Sequence, residues 1–287
     1  MSFTGNSYWK KAFKRFCQSK IALVSGVFLL ALILAIIFLP PLLGLDPYTS
    51  YSVGGFNQRP SAVHWLGTDR TGRDLFARLV YGGRISLLVG ILSTIIAMVI
   101  GIPLGLVAGY YRGIQEAIIM RLVDIFMSFP AMILVLVLVS VIGPSVVSII
   151  FVLGVLGWTR FARLMHGKVL SVREQEYIEA ARAIGTKDLW IMAKYVLPNS
   201  IAPCLIAVTF RTAAAIMMEA TLSFLGMGVQ PPVASWGNLM YDAQSIAVLS
   251  RQPWVWIPPG LCLIFTALSI NFVGDGLRNA LDPKGRE

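Results

Sequence analysis

The sequence predicts an all-α integral membrane protein of six transmembrane helices with an organised cytoplasmic loop, on three observations. Hydrophobic residues make up 56% of the 287-residue chain and charged residues 13%, about half of the usual globular share. Six apolar stretches each reach the ~20 residues that a helix needs to cross a bilayer core. Basic residues flank those stretches far more densely on one side than on the other. The net charge of +10 would point to nucleic acid in a soluble protein. Here nearly every basic cluster borders an apolar run, so the charge marks the cytoplasmic membrane face and no nucleic-acid partner is expected.

The N-terminal segment 1–20 carries Lys10, Lys11, Lys14, Arg15 and Lys20 ahead of the apolar run from Ile21 to Leu39. That run is longer than a signal core and lacks a small-residue cleavage site, so it reads as an uncleaved first helix over 21–41. An outer segment follows, and with the first helix it makes up 21–84. Arg59, Arg70, Arg73, Arg78 and Arg84 lie in it beside Asp46, Asp69 and Asp74. From Asp74 to Val80 the spacing is helical, with Leu75, Phe76, Leu79 and Val80 on one face. Asp74 and Arg78, four apart on the other face, can pair. This predicts a short helix lying on the outer membrane surface; a re-entrant or inner-surface placement stays open.

The membrane-spanning core is expected over 85–283, followed by a tail at 284–287. The second helix, 85–111, carries Gly101, Gly105 and Gly109, whose spacing lets a neighbouring helix approach closely, and Pro103, which can kink it. The third is expected over 117–140 as one span, with Arg121 and Asp124 on a shared face near the inner interface. The fourth is 146–164, the fifth 199–225 and the sixth 254–274; the segment 226–253, rich in Pro, Gly and Trp, is expected outside. Arg211 follows Pro198 by 13 residues, which places it ~20 Å into the membrane. A charge there costs about 2.5–3.5 kcal/mol, so it must face protein or water. Glu219 lies eight residues further on, offset by ~80° around the helix. The two need not pair; each either lines a pathway or locks neighbouring helices. Sixteen basic residues fall in the segments assigned inside and six in those assigned outside, which puts both termini in the cytoplasm.

The 165–198 loop is the most informative stretch. Glu179, Ala180 and Ala181 are good helix formers. Gly185 supplies a left-handed residue to end that helix. Thr186 and Lys187 lead to Asp188, which opens a second amphipathic run, and Leu197-Pro198 is expected to close it before the fifth membrane helix. A loop of 34 residues folded this way is too organised for a tether. Its alanines leave a low surface that a partner could approach, or the hairpin simply packs under the bundle. No G-x-x-x-x-G-K-[ST] phosphate loop occurs, so the chain is not expected to be an ATPase, and no Ser, His and acid trio suggests an enzyme. Cys17, Cys204 and Cys262 form no C-x-x-C pattern, and His64 and His166 are too few for a histidine-rich metal site. An ion-coupled transporter or channel is the competing class; it leaves the ordered loop without a role.

Glu179-Ala180-Ala181, then Gly185, then Leu197-Pro198 resembles the cytoplasmic loop motif of ABC-importer permeases, with Tyr195 where that family often has isoleucine. Leu66-Gly67-Thr68-Asp69 with Gly72-Arg73-Asp74 and Arg78, Gly82, Arg84 and Ser86 resembles the outer segment of the dipeptide/oligopeptide/nickel permeases. Leu222 to Pro232 with Trp236-Gly237 resembles their segment after the fifth helix, and Gly274-Asp275-Gly276-Leu277-Arg278 with Leu281-Asp282-Pro283 their C-terminal end. The resemblance implies the type I ABC-importer permease fold and the second permease subunit of such a system, in a bacterial inner membrane. It implies that the loop is a coupling helix docking on an ATP-hydrolysing subunit through Glu179, Ala180, Ala181, Gly185, Thr186, Lys187, Asp188, Leu197 and Pro198. ATP and Mg would sit on two such partner subunits, with no cofactor on this chain. A second homologous permease and an external substrate-binding protein would complete an importer of di- or oligopeptides that works by alternating access. The same machinery importing nickel or a metal chelate is the alternative.

Overall fold

The structure, a computed structural model, describes residues 15–48 and 55–281. Lys10, Lys11 and Lys14, the Asp282-Pro283 end of the last motif and the 284–287 tail lie outside the described residues. Helix α1 runs Lys20–Leu43; the Ser19 side chain caps its start and Gly44, at φ 59°, ends it. Helix α2 runs Leu75–Tyr111, 37 residues without interruption.

This corrects two expectations. The short surface helix expected from Asp74 is the first part of the second membrane helix, and a division at 84 falls inside α2. Asp74 is the N-cap, accepting from Ala77 N at 2.8 Å. Nothing in the sequence between Val80 and Arg84 stops a helix once it is capped, because Gly82 and Gly83 are used for packing: a Cβ on Gly83 would stand 2.6 Å from Ile36 Cδ1. At 1.5 Å per residue α2 is ~55 Å long, well beyond the ~30 Å hydrocarbon core.

The third span is also not the single helix expected over 117–140. Helices α3 (Gly113–Ser128) and α4 (Ala131–Ile142) meet at 89°. Phe129 between them is extended, with φ −93° and ψ 143°, as the residue before a proline must be when its helical conformation is blocked. Asp124, on the face it shares with Arg121, takes Arg163 of helix α5 (Val146–Arg173). That helix runs past the expected end at 164.

Helix α6 (Glu176–Ala183) is followed by α7 (Asp188–Ile191), a π-helical turn (Met192–Val196), α8 (Leu197–Ser200) and α9 (Ala202–Phe224). Pro198 therefore does not close the loop. It is the second residue of α8, which the π turn enters without leaving helical backbone. After α9 come α10 (Trp236–Leu239), a 3-10 turn (Tyr241–Gln244), α11 (Ile246–Arg251) and α12 (Pro253–Leu281). Among the described residues five helices, α1, α2, α5, α9 and α12, are each long and apolar enough to cross a membrane, and the number is six if the bent pair α3 and α4 counts as one span.

The densest seam joins α2 and α5. A Cβ on Gly101 or Gly105 would collide with the carbonyl oxygens of Trp158 and Ala162, and one on Gly109 would stand 2.7 Å from Val169 Cβ. Small residues at this spacing let the two backbones touch. Around them Ile102, Phe161, Met165, Val169, Ile178, Ile191 and Val196 form a buried cluster that also ties in the 176–196 segment. Large apolar side chains such as Leu30, Phe38, Val99, Ile133 and Phe265 are exposed on the outside of the bundle, the surface lipid covers. At the N-terminal end of α2 the segment after α9 folds over the bundle: Trp236 Nε1 donates to Leu79 O at 3.0 Å. This is the capped end. The loop end, with α6 and α7, lies at the C-terminus of α2.

Candidate functional site: two ends and a cavity between helices

At the loop end, α6 turns Ile178 and Ala181 inward and leaves Glu179, Ala180 and Ala183 exposed. Gly185 has φ +76°. Its N–H bonds Arg182 O at 2.9 Å, and Thr186 N bonds Ala181 O at 3.1 Å, the hydrogen bonds of a glycine helix cap. Lys187 and Asp188 then open α7 with both side chains exposed. Ile184 and Leu189, 82% and 74% exposed, stand beside them. The exposed segment is therefore an apolar pair bordered by charges. Leu197 instead packs half-buried on the cluster beneath, and Pro198 lies at the root of the fifth span.

Tyr110, near the end of α2, holds this segment and was not singled out by its sequence. Its hydroxyl donates to Asp188 Oδ1 at 2.6 Å and accepts from Arg182 Nε at 3.3 Å. The Arg182 guanidinium lies over the ring, 4.7 Å from its centre, and Arg173 Nη1 donates to the Tyr110 carbonyl at 2.6 Å. One residue of α2 thus binds three residues of the loop end by side chain and backbone together.

Midway along the bundle, Arg211 reaches from α9 to α5. Its Nη2 donates to Leu153 O at 2.6 Å. Gly157 makes the room, since a Cβ there would stand 2.5 Å from Nη2. A cavity of about 280 Å³ opens beside it, lined among others by Phe126, Phe129, Arg160, Ala214 and Met218. Glu219, two turns further along α9, has no exposure. Its carboxylate accepts from Ser86 Oγ at 3.0 Å and Ser223 Oγ at 2.7 Å. Each serine oxygen in turn accepts a backbone N–H, from Trp236 at 3.2 Å and Val229 at 3.0 Å. Arg211 and Glu219 have separate partners, and Glu219 fastens the segment after α9 to α2.

At the capped end the outer-segment residues form a buried ion cluster. Asp69 accepts from Thr71 N (2.8 Å), Thr71 Oγ1 (2.6 Å), Arg73 N (2.9 Å) and Arg73 Nε (2.9 Å). Burial pushes its carboxyl up, yet the Thr71 hydroxyl, the two backbone N–H groups and the Arg73 charge together hold it below the usual 3.8. Gly72, at φ +78°, makes the turn between them. Arg78 does not pair with Asp74 as expected. Its Nε stands 3.4 Å from Asp69 Oδ2, without an aligned hydrogen bond, and its Nη1 donates to Pro232 O at 3.3 Å. Asp74 is occupied by the α2 cap and by His64 Nδ1 at 2.8 Å. Asp242, its carboxyl raised by burial and partly offset by Arg70 at 3.3 Å, borders the cluster. Among the described residues no group of three or more His, Cys, Asp and Glu is placed to hold a metal.

Residues 101–287 match the family described as binding-protein-dependent transport system inner membrane component. Residues 7–60 match the N-terminal transmembrane domain of oligopeptide transport permease C. The dipeptide transport system permease protein of Alkalihalophilus pseudofirmus is 39% identical over 98% of this chain and 92% of its own length. A glutathione transport system permease protein of Pectobacterium atrosepticum is 38% identical over 96% and 91%, and a putative peptide permease of Brucella suis 42% over 94% and 89%. Among solved structures, an inward-facing form of the MetNI methionine ABC transporter superposes with a TM-score of 0.59 on 71% of this chain and 97% of that one, at 23% identity, which shows a shared fold. The sequence matches extend over nearly the whole chain, and the chain belongs to the inner membrane components of binding-protein-dependent transport systems, the permease subunits of ABC importers.

Proposed function

We propose that this chain forms one half of the transmembrane pathway of an ATP-driven importer of short peptides. The carrying observation is the loop end: an exposed helix–glycine–helix segment, clamped to α2 by Tyr110 and continuous through the π turn with α9. A segment so fixed to two membrane helices passes a push from a partner into the bundle. In this reading Glu179, Ala180, Ala181, Gly185, Thr186, Lys187 and Asp188 form the docking face for an ATP-binding cassette subunit, with Leu197 and Pro198 at its root. Two such subunits hold ATP and Mg. A second, homologous permease supplies the other half of the pathway, and a binding protein delivers substrate at the capped end around Asp69, Gly72, Arg73, Asp74 and Arg78. Both termini and 165–198 face the cytoplasm, and 226–253 faces outside.

The peptide assignment is supported by relatives named for dipeptide, peptide and glutathione transport at 38–42% identity. The test is uptake of labelled dialanine into proteoliposomes holding this chain with its second permease, ATPase subunits and binding protein. Uptake should require ATP and the ATPase subunits. Ion-driven uptake by this chain alone would overturn the reading in favour of a secondary transporter.

A further inference from the structure

We propose that the Arg211 cavity is a carboxylate-binding station on the translocation path, which takes the C-terminal carboxylate of a peptide in transit. The proposal rests on the peptide-import reading above. Arg211 is near the middle of α9, nine residues from its first and thirteen from its last, so it lies at membrane depth. Leu153 O engages one of its nitrogens, out of five guanidinium N–H donors, and no ion pair to it forms among the described residues. The cavity is lined by two cationic side chains, Arg211 and Arg160, and by no acidic one.

A cation at the depth of Arg211 with no ion pair among the described residues is unfavourable unless water or an anion reaches it, and Arg160, exposed one turn from Gly157 on α5, adds a second positive charge to the cavity. The Leu153 bond and the bare backbone of Gly157 hold the guanidinium against α5, so its planar fork is oriented before any ligand arrives. A fixed guanidinium fork matches a carboxylate with two parallel hydrogen bonds. The other walls include Phe126 and Met127 before the α3–α4 break, Phe129 within it, Leu134 beyond it, and Met218 from α9. Aromatic and methionine side chains adapt to apolar groups of many shapes, which suits peptides that share a terminus but differ in side chain. At about 280 Å³ the cavity is at the small end of ligand sites, enough for one end of a peptide facing the other permease.

The test uses the full importer in nanodiscs, with Ala214→Cys placed on the cavity wall and rates corrected for the chain lacking that cysteine. The probes are the anionic 2-sulfonatoethyl and the cationic 2-trimethylammonioethyl methanethiosulfonates. Relative to their rates with a free thiol, the anionic reagent should react about tenfold faster, the effect of one favourable charge contact. Dialanine should slow it, and dialanine amide should not. Arg211→Gln should reduce the reagent preference to what Arg160 alone supplies, abolish protection and lower dialanine uptake by roughly ten- to a hundredfold, the worth of a charge-assisted hydrogen bond. Arg211→Lys, should the glutamine variant not fold, should keep the reagent preference but weaken protection. Equal reagent rates in the parent, or equal protection by acid and amide, would overturn the proposal while leaving peptide import standing. So would loss of the second permease from purified Arg211→Gln complexes, which would make Arg211 an interface lock. Absence of ATP-driven dialanine uptake in the parent would remove both.

Discussion

No heavy atom lies within 4 Å of the point where a Cβ on Gly185 would stand, yet its φ is +76°. The position demands a backbone conformation, not space. An L-residue there costs about 1–2 kcal/mol, and a β-branched one more. Gly185→Val should insert normally but retain less ATPase subunit on pull-down, and Glu179→Lys should act similarly by reversing charge on the same exposed face. Normal attachment and uptake in both would reduce the segment to a structural hairpin. At the other end, Asp69→Asn leaves Arg73 and Arg78 buried beside a neutral group, and should cost about 3 kcal/mol of local stability, read as faster hydrogen exchange over 67–73. The Asp69 carboxyl titrates below 3.8 in the fold. Its contribution is therefore complete above that value and lost as the pH falls through the lower folded value, so exchange there should quicken only in strong acid. Gly185 was legible in the sequence because one glycine after a short helix states its own requirement. Tyr110 was not: an aromatic at the end of an apolar run reads as an interface residue. Its partners Arg173, Arg182 and Asp188 lie 63 to 78 positions away in the chain.

Among the elements, the long apolar runs announced themselves and their joints did not. Runs of ~20 apolar residues fix where helices cross a membrane; five of the six expected spans are single long helices, and the third is the bent pair α3 and α4. The start of α2 was misplaced because arginine and aspartate near Asp74 looked like a surface segment. Burial of Arg78 against Asp69 and Pro232 removes that objection only once the fold brings residue 232 to residue 78. Phe129-Pro130 was a visible break signal inside a run of apolar residues, and the length of the run outweighed it. The Tyr110 clamp gives a test at this scale. Tyr110→Phe keeps the ring under Arg182 and deletes the hydroxyl between Arg182 and Asp188. It should destabilise the α6–α7 pair by roughly 0.5–1.5 kcal/mol, measured as hydrogen exchange over 176–191 that quickens without change in α2 itself. Unchanged exchange would mean that the buried cluster under Ile178 and Ile191 alone holds the pair.

For the whole molecule, the sixteen-to-six distribution of basic residues predicts the orientation. In intact cells a cysteine at Ala183 should resist a membrane-impermeant thiol reagent and one at Val63, 81% exposed, should react; the reverse pattern would invert the assigned topology. Nothing local in the chain could have revealed the Arg211 cavity, because its walls come from four helices and its shape from one break. The α2–α5 seam bears on how such a machine moves. Where Gly101 and Gly105 face the carbonyls of Trp158 and Ala162, α2 has no side-chain atoms to hold the two backbones apart. Rolling either one would drive backbone into backbone. The pair is thus a single stiff plank, and the shape change that shifts an opening from one side of the bilayer to the other must be borne at other joints. Staples set across this seam should leave uptake at its parent rate, whereas staples across the Phe129-Pro130 elbow, between α3 and α4, should stall it.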